Sequence, residues 1–306
     1  MMPGRNFHHS EFTDARRLAD LKTAPISVCI PTLDEENTIG RIVSTIRREL
    51  MESVPLVDEL LVIDSGSTDG TREAAAGAGA TVHLSADIAA GHGTHRGKGE
   101  NLWKALFAAK GDLICYVDGD ISNFHAGFVT GLLGPLLCHP GIRYVKAHYE
   151  RPLTNGGDFH RTGGGRVSEI LVRPLLSLFY PELTAIFQPL SGEYAARRSL
   201  LEQLAFPTGY GVEIAHLIDL HGMGALDAVA QVDLDQRIHR NRGDLELGRM
   251  SFSILRTIFH RLERDGKVTV HHALEELHRT WTHDSGEAVG LETRIAEPER
   301  PPIISL

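Results

Sequence analysis

Asp118-Gly-Asp120 directly follows the apolar run Leu113-Ile-Cys-Tyr-Val117. Two carboxylates at i and i+2, placed at a strand end, can grip a hard cation through oxygen. Mg2+ keeps only one or two protein carboxylates and completes its shell from water and phosphate, so the pair suits a metal held between protein and a diphosphate. Lys98 stands behind a glycine at the start of a helical pattern, where its ammonium can meet a diphosphate as a compact charge; Arg96 is its alternative. Glu35, in the polar run Pro31-Thr-Leu-Asp-Glu-Glu-Asn37, offers a carboxylate that can accept hydrogen bonds from a ligand. Gly163-Gly-Gly165-Arg166-Val-Ser168 suits a second anion. Consecutive glycines let backbone N–H groups come close, and a following helix start adds the positive end of its dipole. Arg166 supplies a planar fork for phosphate or carboxylate, and Ser168 a hydroxyl. Glu213, in Tyr210-Gly-Val-Glu213, is a further carboxylate. It could act as a nucleophile or accept hydrogen bonds from substrate hydroxyls, and the second reading is preferred.

Those residues need a scaffold that gathers them. Residues 26–30, 56–63, 80–84 and 113–117 are short apolar runs that predict strands. Residues 38–50, 71–78 and 97–110 have helical spacing between them. Strands alternating with helices predict βαβ units and a mostly parallel sheet flanked by helices, a Rossmann-like α/β fold. In such sheets the ligand lies outside the carboxyl ends of the strands. The polar runs PTLDEEN, DSGSTDG and DGDISN fall at those ends. Each alone would serve as a turn; three at one edge make a site.

Further along, residues 150–168 predict a long loop of the functional kind. A helix over 167–179, a strand over 192–196, a helix over 212–220 and a strand over 224–238 follow. Two last helices are expected at about 244–264 and 269–281. The expected division is an N-terminal arm (1–24), an α/β half (25–150), a smaller part with C-terminal helices (151–284) and a flexible, polar, proline-bearing tail (285–306).

Composition narrows the function. The chain has 306 residues, 42% hydrophobic and 23% charged, ordinary for a globular protein. No apolar run approaches the roughly 18 residues that cross a bilayer, so no membrane span is expected. The first residues lack the apolar stretch of a signal peptide. Cys29, Cys115 and Cys138 are too few for a disulfide framework, which points to a reducing cytoplasm. A net charge of −9 argues against nucleic acid as a partner. The 17 histidines are scattered, with no HExxH or His-x-His pair.

PTLDEEN, VIDSGSTDGT and the strand-borne DGD together resemble the nucleotide-sugar-binding half of GT-A glycosyltransferases. RGKGENLWKAL, GGGRVSE, GYGVEIAHLIDL and Gln236-Arg-Ile-His-Arg-Asn241 extend the match, over roughly residues 25–245, to the glucosyl-3-phosphoglycerate synthases of the mycobacterial type. The resemblance implies a GT-A fold and a homodimer. It implies retaining transfer of glucose from UDP-glucose, or another nucleoside-diphosphate glucose, to the 2-hydroxyl of 3-phosphoglycerate, for methylglucose lipopolysaccharide synthesis. Mg2+ is the implied cofactor, with Mn2+ as its substitute.

The resemblance also implies roles. Pro31, Thr32, Leu33, Asp34 and Glu35 would surround the uridine, with Ser65 nearby. Asp118 would face the ribose and sugar beside Gly119, while Asp120 and His239 would ligate the metal. Lys98, Tyr210, Gly211, Val212, Glu213 and Arg237 complete the donor side; Gly165, Arg166, Val167, Ser168 and Asn241 form the acceptor side. Two departures stand out. Asp34 occupies a place where GT-A enzymes often carry Asn, and Gly119 fills the middle of the metal motif. The alternatives are another GT-A transferase, such as a mannosyl-3-phosphoglycerate synthase, or a noncatalytic nucleotide-sugar-binding protein.

Overall fold

The computed structural model describes residues 5–151, 153–155, 158–160, 165–238, 243–284 and 287–306. In chain order the strands are β1 (Asn6–His8), β2 (Ile26–Thr32), β3 (Glu59–Asp64), β4 (Thr81–Leu84), β5 (Leu113–Tyr116), β6 (Tyr144–Glu150), β7 (Leu153–Asn155), β8 (Asp158–His160), β9 (Tyr194–Arg197), β10 (Phe206–Pro207), β11 (Val229–Gln236), β12 (Leu277–Asp284), β13 (Glu287–Arg294) and β14 (Glu299–Arg300). The helices are α1 (Ala15–Asp20), α2 (Ile39–Arg47), α3 (Thr71–Ala78), α4 (Lys98–Ala108), α5 (Gly127–Cys138), α6 (Arg173–Phe179), α7 (Arg198–Leu201), α8 (Val212–Gly222) and α9 (Asp244–Arg264).

Alternation along the strands builds a core on each face of one sheet. Along β5, Leu113 and Cys115 join one core and Ile114 and Tyr116 the other. Helices α2 and α5 cover the first face through Ile42, Ile46, Leu132 and Leu136. Helices α4, α8 and α9 cover the second through Trp103, Leu217 and Ile254. The sheet runs β1-β11-β6-β9-β5-β2-β3-β4. Its neighbours pair in parallel except at β9, which is antiparallel to both β5 and β6. The mostly parallel sheet and its helices therefore match the expectation. Strands β3 and β4 are added on one side of β2 and β5 on the other, so the strand order reverses there, and such a switch point opens a crevice at the strand ends.

Several boundaries differ from the sequence reading. The sheet runs across residue 150, because β9 and β11 enter it from the second part. The N-terminal arm adds β1 at the outer edge, paired with β11. The helix expected over 269–281 is absent; Leu277–Asp284 pairs antiparallel with Glu287–Arg294. Thr280, Trp281 and Thr282 explain that outcome, since β-branched and aromatic side chains favour an extended chain.

The tail expected over 285–306 is not a free tail either. β14 pairs with β10, and Arg300 clamps Glu100 with two hydrogen bonds of 2.7 Å while its guanidinium lies over Trp103. The Trp103 indole N–H donates to the Pro301 carbonyl at 3.0 Å. The end of the chain thus buttresses α4. Within the expected long loop, β7 and β8 form a hairpin, and residues 152, 156–157 and 161–164 lie outside the described residues.

Candidate active site

Three loops meet at the carboxyl edge as expected, and the structure shows what shapes them. Asp64, fully buried at the end of β3, accepts from the backbone N–H groups of Gly66 and Ser67 and from the hydroxyls of Thr32 and Ser67. Thr32 therefore spends its side chain on joining the first loop to the second. Asp34 adopts φ 58°, a left-handed conformation that Asn and Asp tolerate. Its carboxylate accepts from the Thr68 N–H at 2.8 Å. That conformation suits Asp as it would Asn, so the exchange leaves the backbone of the loop undisturbed. Gly119 packs against Thr32, where an added Cβ would stand 3.1 Å from the Thr32 methyl, and its carbonyl accepts from the Thr38 hydroxyl at 2.6 Å. Ser65 donates to Asn101 on α4 at 2.9 Å.

A charged cluster occupies the crevice. The Lys98 ammonium lies 2.5 Å from Asp118 Oδ1 and 3.0 Å from Glu213 Oε1. Arg237 Nη2 reaches Asp118 Oδ2 at 3.0 Å and Asp120 Oδ1 at 2.6 Å, while its Nε donates to Glu193 at 2.8 Å. Glu193 also accepts from the Tyr149 hydroxyl. Burial alone would lower the Lys98 ammonium, but the Asp118 and Glu213 carboxylates outweigh it and hold it above its ordinary range. Burial would raise Asp118, and the Lys98 and Arg237 charges reverse that and hold it below the usual carboxylate range. Both groups are therefore ionised at neutral pH. For Glu193 burial prevails and its carboxyl is pushed up.

Two glycines make the cluster possible. At Gly192 an added Cβ would fall 2.2 Å from the Lys98 nitrogen and 2.3 Å from Asp118 Oδ2. At Gly99 it would meet the Pro207 carbonyl at 1.8 Å, so α4 starts in tight contact with β10. The Glu100 N–H donates to the Thr208 carbonyl at 3.0 Å, which ties off the first turn of the helix that carries Lys98.

Of the residues expected on the donor side, Lys98, Asp118, Asp120, Glu213 and Arg237 come together. Val212 and Gly211 are buried at the start of α8, and an added Cβ at Gly211 would strike the Thr257 hydroxyl. Pro31, Leu33, Glu35 and Tyr210 are half-buried, whereas Arg96 is exposed. On the acceptor side, Gly165 has φ 80° and its carbonyl accepts from Glu169 N–H, opening a helical stretch that holds Val167 and Ser168 buried. Arg166 pairs with the exposed Asp244 at 2.5 Å. His239 and Asn241 lie outside the described residues.

Sequence reasoning missed Glu193, Tyr149, Lys146 and Gly192. One signal was available: Lys146 and Glu193 are charges inside apolar strand context, and a buried charge needs a partner. Lys146 is fully buried with its ammonium on the Ser191 carbonyl at 2.7 Å.

The resident donor set fits a hard divalent cation. Four carboxylates (Asp118, Asp120, Glu193 and Glu213) are in direct contact with two cations, Lys98 and Arg237. Arg237 engages one oxygen of Asp120, and both strand-end aspartates stay about one-fifth exposed, at 18% and 21%. Oxygen donors with surplus negative charge suit Mg2+ or Mn2+.

Comparison with known proteins agrees with this geometry. Residues 27–139 match the family model for glycosyl transferase family 2. A glucosyl-3-phosphoglycerate synthase of Petrotoga mobilis is 48% identical over 305 residues, 99% of this chain and 94% of that protein. The Mycobacterium tuberculosis glucosyl-3-phosphoglycerate synthase, in complex with Mn2+, uridine diphosphate and glucosyl-3-phosphoglycerate, superposes with a TM-score of 0.86 at 38% identity over 99% of each chain. The Rubrobacter xylanophilus mannosyl-3-phosphoglycerate synthase gives a TM-score of 0.90 at 35% identity, over 99% of this chain and 97% of that one. The α/β fold is the expected GT-A fold. With relatives this similar along almost its whole length, the chain belongs to the glucosyl-3-phosphoglycerate synthase family of glycosyltransferases.

Proposed function

We propose that the site transfers glucose from UDP-glucose to the 2-hydroxyl of 3-phosphoglycerate with retention of configuration. The observation that carries this reading is the Lys98–Asp118–Arg237–Asp120 chain of charges at the strand ends, in a protein so similar to the Petrotoga mobilis synthase. Pro31 to Glu35 and Ser65 enclose the uridine, and Asp118 faces the ribose and sugar. Asp120 and His239 would hold Mg2+ or Mn2+, which when bound neutralises charge on the departing diphosphate.

Lys98 places a permanent cation beside the same diphosphate. Glu213 is 5% exposed in its side chain and already pairs with Lys98, so it is held to accept hydrogen bonds from glucose hydroxyls and not to attack the anomeric carbon. The leaving diphosphate oxygen takes the acceptor's proton on the same face of the sugar. Gly165, Arg166, Val167, Ser168 and Asn241 receive the phosphate and carboxylate of the acceptor. The helical stretch that opens at Gly165 supports that part.

The same proposal places the enzyme in a reducing cytoplasm, where its free Cys29, Cys115 and Cys138 are stable. It assembles as a homodimer, in keeping with Ile170, Leu178 and Trp281 being more than 70% exposed; light scattering that finds a monomer would reject that part. No described helix is long and apolar enough to cross a membrane.

The Rubrobacter xylanophilus likeness supports a second reading, mannosyl transfer. Incubation with 3-phosphoglycerate and Mg2+ and either UDP-glucose or GDP-mannose, followed by mass analysis and sugar identification, separates the two. A glucosyl product from UDP-glucose is expected. Product from GDP-mannose alone overturns the first reading, and no product with either donor overturns both.

A further inference from the structure

A second cluster of ligating side chains lies at the outer edge of the sheet, away from the charged crevice. His8 Nε2 stands 2.9 Å from Asp235 Oδ1, and His9 Nε2 stands 2.7 Å from Asp235 Oδ2. One donor atom from each of the three residues falls within 4.8 Å of the others. The edge is built to hold them. β11 shifts register between Asp233 and Gln236, and Asp235 at φ 62° takes the left-handed conformation that aspartate tolerates, its carboxylate meeting both histidines of the arm.

The arm opposite is equally fixed. At Gly131 an added Cβ would lie 2.9 Å from the His9 Cβ, and at Gly134 it would lie 2.2 Å from the Phe12 ring. These two glycines of α5 let the arm seat closely and set the position of His9. His8 Nδ1 is 2.7 Å from the Ser10 hydroxyl. The same Nδ1 accepts from the Ser10 backbone N–H at 3.2 Å, which fixes the ring with Nε2 turned toward Asp235; an ion at Nε2 would shift the ring proton to Nδ1, where the Ser10 hydroxyl oxygen can accept it.

We propose that His8, His9 and Asp235 form a second metal site, a two-imidazole, one-carboxylate site for a first-row transition ion such as Zn2+. Two nitrogens and a carboxylate suit such ions, whereas Mg2+ prefers oxygen alone. Three protein ligands leave a fourth position for water. A tetrahedron with arms of about 2.1 Å sets neighbouring donors about 3.4 Å apart. The two histidines reach different oxygens of Asp235, at 2.9 and 2.7 Å, and the three donor atoms lie within 4.8 Å of one another, so reaching that spacing is a side-chain adjustment of about 1–1.5 Å. The bound ion would tie β1 to the end of β11, two residues before Arg237.

The test uses the full-length chain with Asp120→Asn, stripped of metal, so that the active-site ligand set is disabled. Co2+ is the probe, read by equilibrium dialysis and by its visible absorption. One Co2+ per chain with a tetrahedral spectrum is expected. Adding Asp235→Asn or His9→Asn should remove the spectrum and weaken binding by more than about tenfold. His8→Asn, at the more exposed of the two histidines, keeps the test open if either of those fails to fold. Zn2+ should also raise the melting temperature of the Asp120→Asn chain, and raise it no further once Asp235→Asn is added. Failure of the Asp120→Asn chain to bind Co2+ overturns the proposal, as does binding unchanged by the edge substitutions. Either result would leave only hydrogen bonds between the histidines and Asp235, and neither bears on glucosyl transfer.

Discussion

Gly192→Ala adds one methyl group at the most sensitive point of the crevice. Gly192 is not among the glycines with positive φ, so alanine meets no backbone strain there. The new carbon would start 2.2 Å from the Lys98 nitrogen and 2.3 Å from Asp118 Oδ2. Comfortable contact for a methyl carbon is about 3.5 Å, so both groups must recede by about 1.2 Å. Each of those atoms is the far end of a side chain, and each can rotate away. The cost in stability should therefore sit at the low end of overpacking, about 1 kcal/mol.

Catalysis has no such escape. The same rotation lengthens the 2.5 Å pair between Lys98 and Asp118 and moves the ammonium from the place at which we propose it meets the diphosphate. A displacement of that size typically costs about a hundredfold in rate. Steady-state kinetics with UDP-glucose and 3-phosphoglycerate should show kcat/KM down by about two orders of magnitude, with thermal unfolding shifted by only a few degrees. A folded Gly192→Ala enzyme within threefold of the parent, a threshold roughly at kinetic scatter, would refute the view that this pair must stand where it does.

Asp120→Ala and His239→Ala should each lower kcat by at least about a hundredfold in protein whose circular dichroism is unchanged, and near-normal turnover in either rejects that ligand. Arg166→Ala should raise the KM for 3-phosphoglycerate by about ten- to a hundredfold and leave that for UDP-glucose alone, because a lost charge-assisted contact costs about 1.5–3 kcal/mol. Glycerate should be a poor acceptor for the parent; equal use of glycerate and 3-phosphoglycerate argues against the pocket. Burial pushes the Lys146 ammonium down from 10.5 to about 8. Because the folded value lies below the unfolded one, the unfolded chain binds more protons between those limits, and the parent gains stability as pH rises through that window. Lys146→Met lacks this gain, so its stability relative to the parent should fall by about 3 kcal/mol from pH 8 to 10.5 in urea titrations, and parallel profiles would refute the shift.

The sheet was readable because its signal is local. β2, β3 and β5 are apolar runs closed by polar turns, and each expected strand lies within a few residues of the observed one. The C-terminal region misled for the opposite reason. Glu299–Arg300 becomes a strand only because β10 lies beside it, and Arg300 finds Glu100 across 200 positions. Polar, proline-bearing sequence carries no trace of that pairing.

The site divides along the same line. Asp118, Asp120, Lys98 and Glu213 announce themselves by motif, but the groups that aim them do not. Arg237 meets Asp118 from 119 positions away and Glu193 from 44. Its backbone N–H donates to the Glu150 carbonyl at 3.0 Å, and Tyr149 beside it reaches Glu193. Arg237 thus joins the end of β5 and the start of β9 through its guanidinium, and the end of β6 through its backbone, just beyond the end of β11. Removing one partner of a buried ion pair leaves an uncompensated charge and commonly costs about 3–5 kcal/mol, far more than the intact pair contributes. Such a junction therefore constrains the geometry of the crevice more than it stabilises the fold. The aspartate motif marks where the chemistry lies, and the unmarked Glu193 and Tyr149 fix the angle at which Arg237 presents to it.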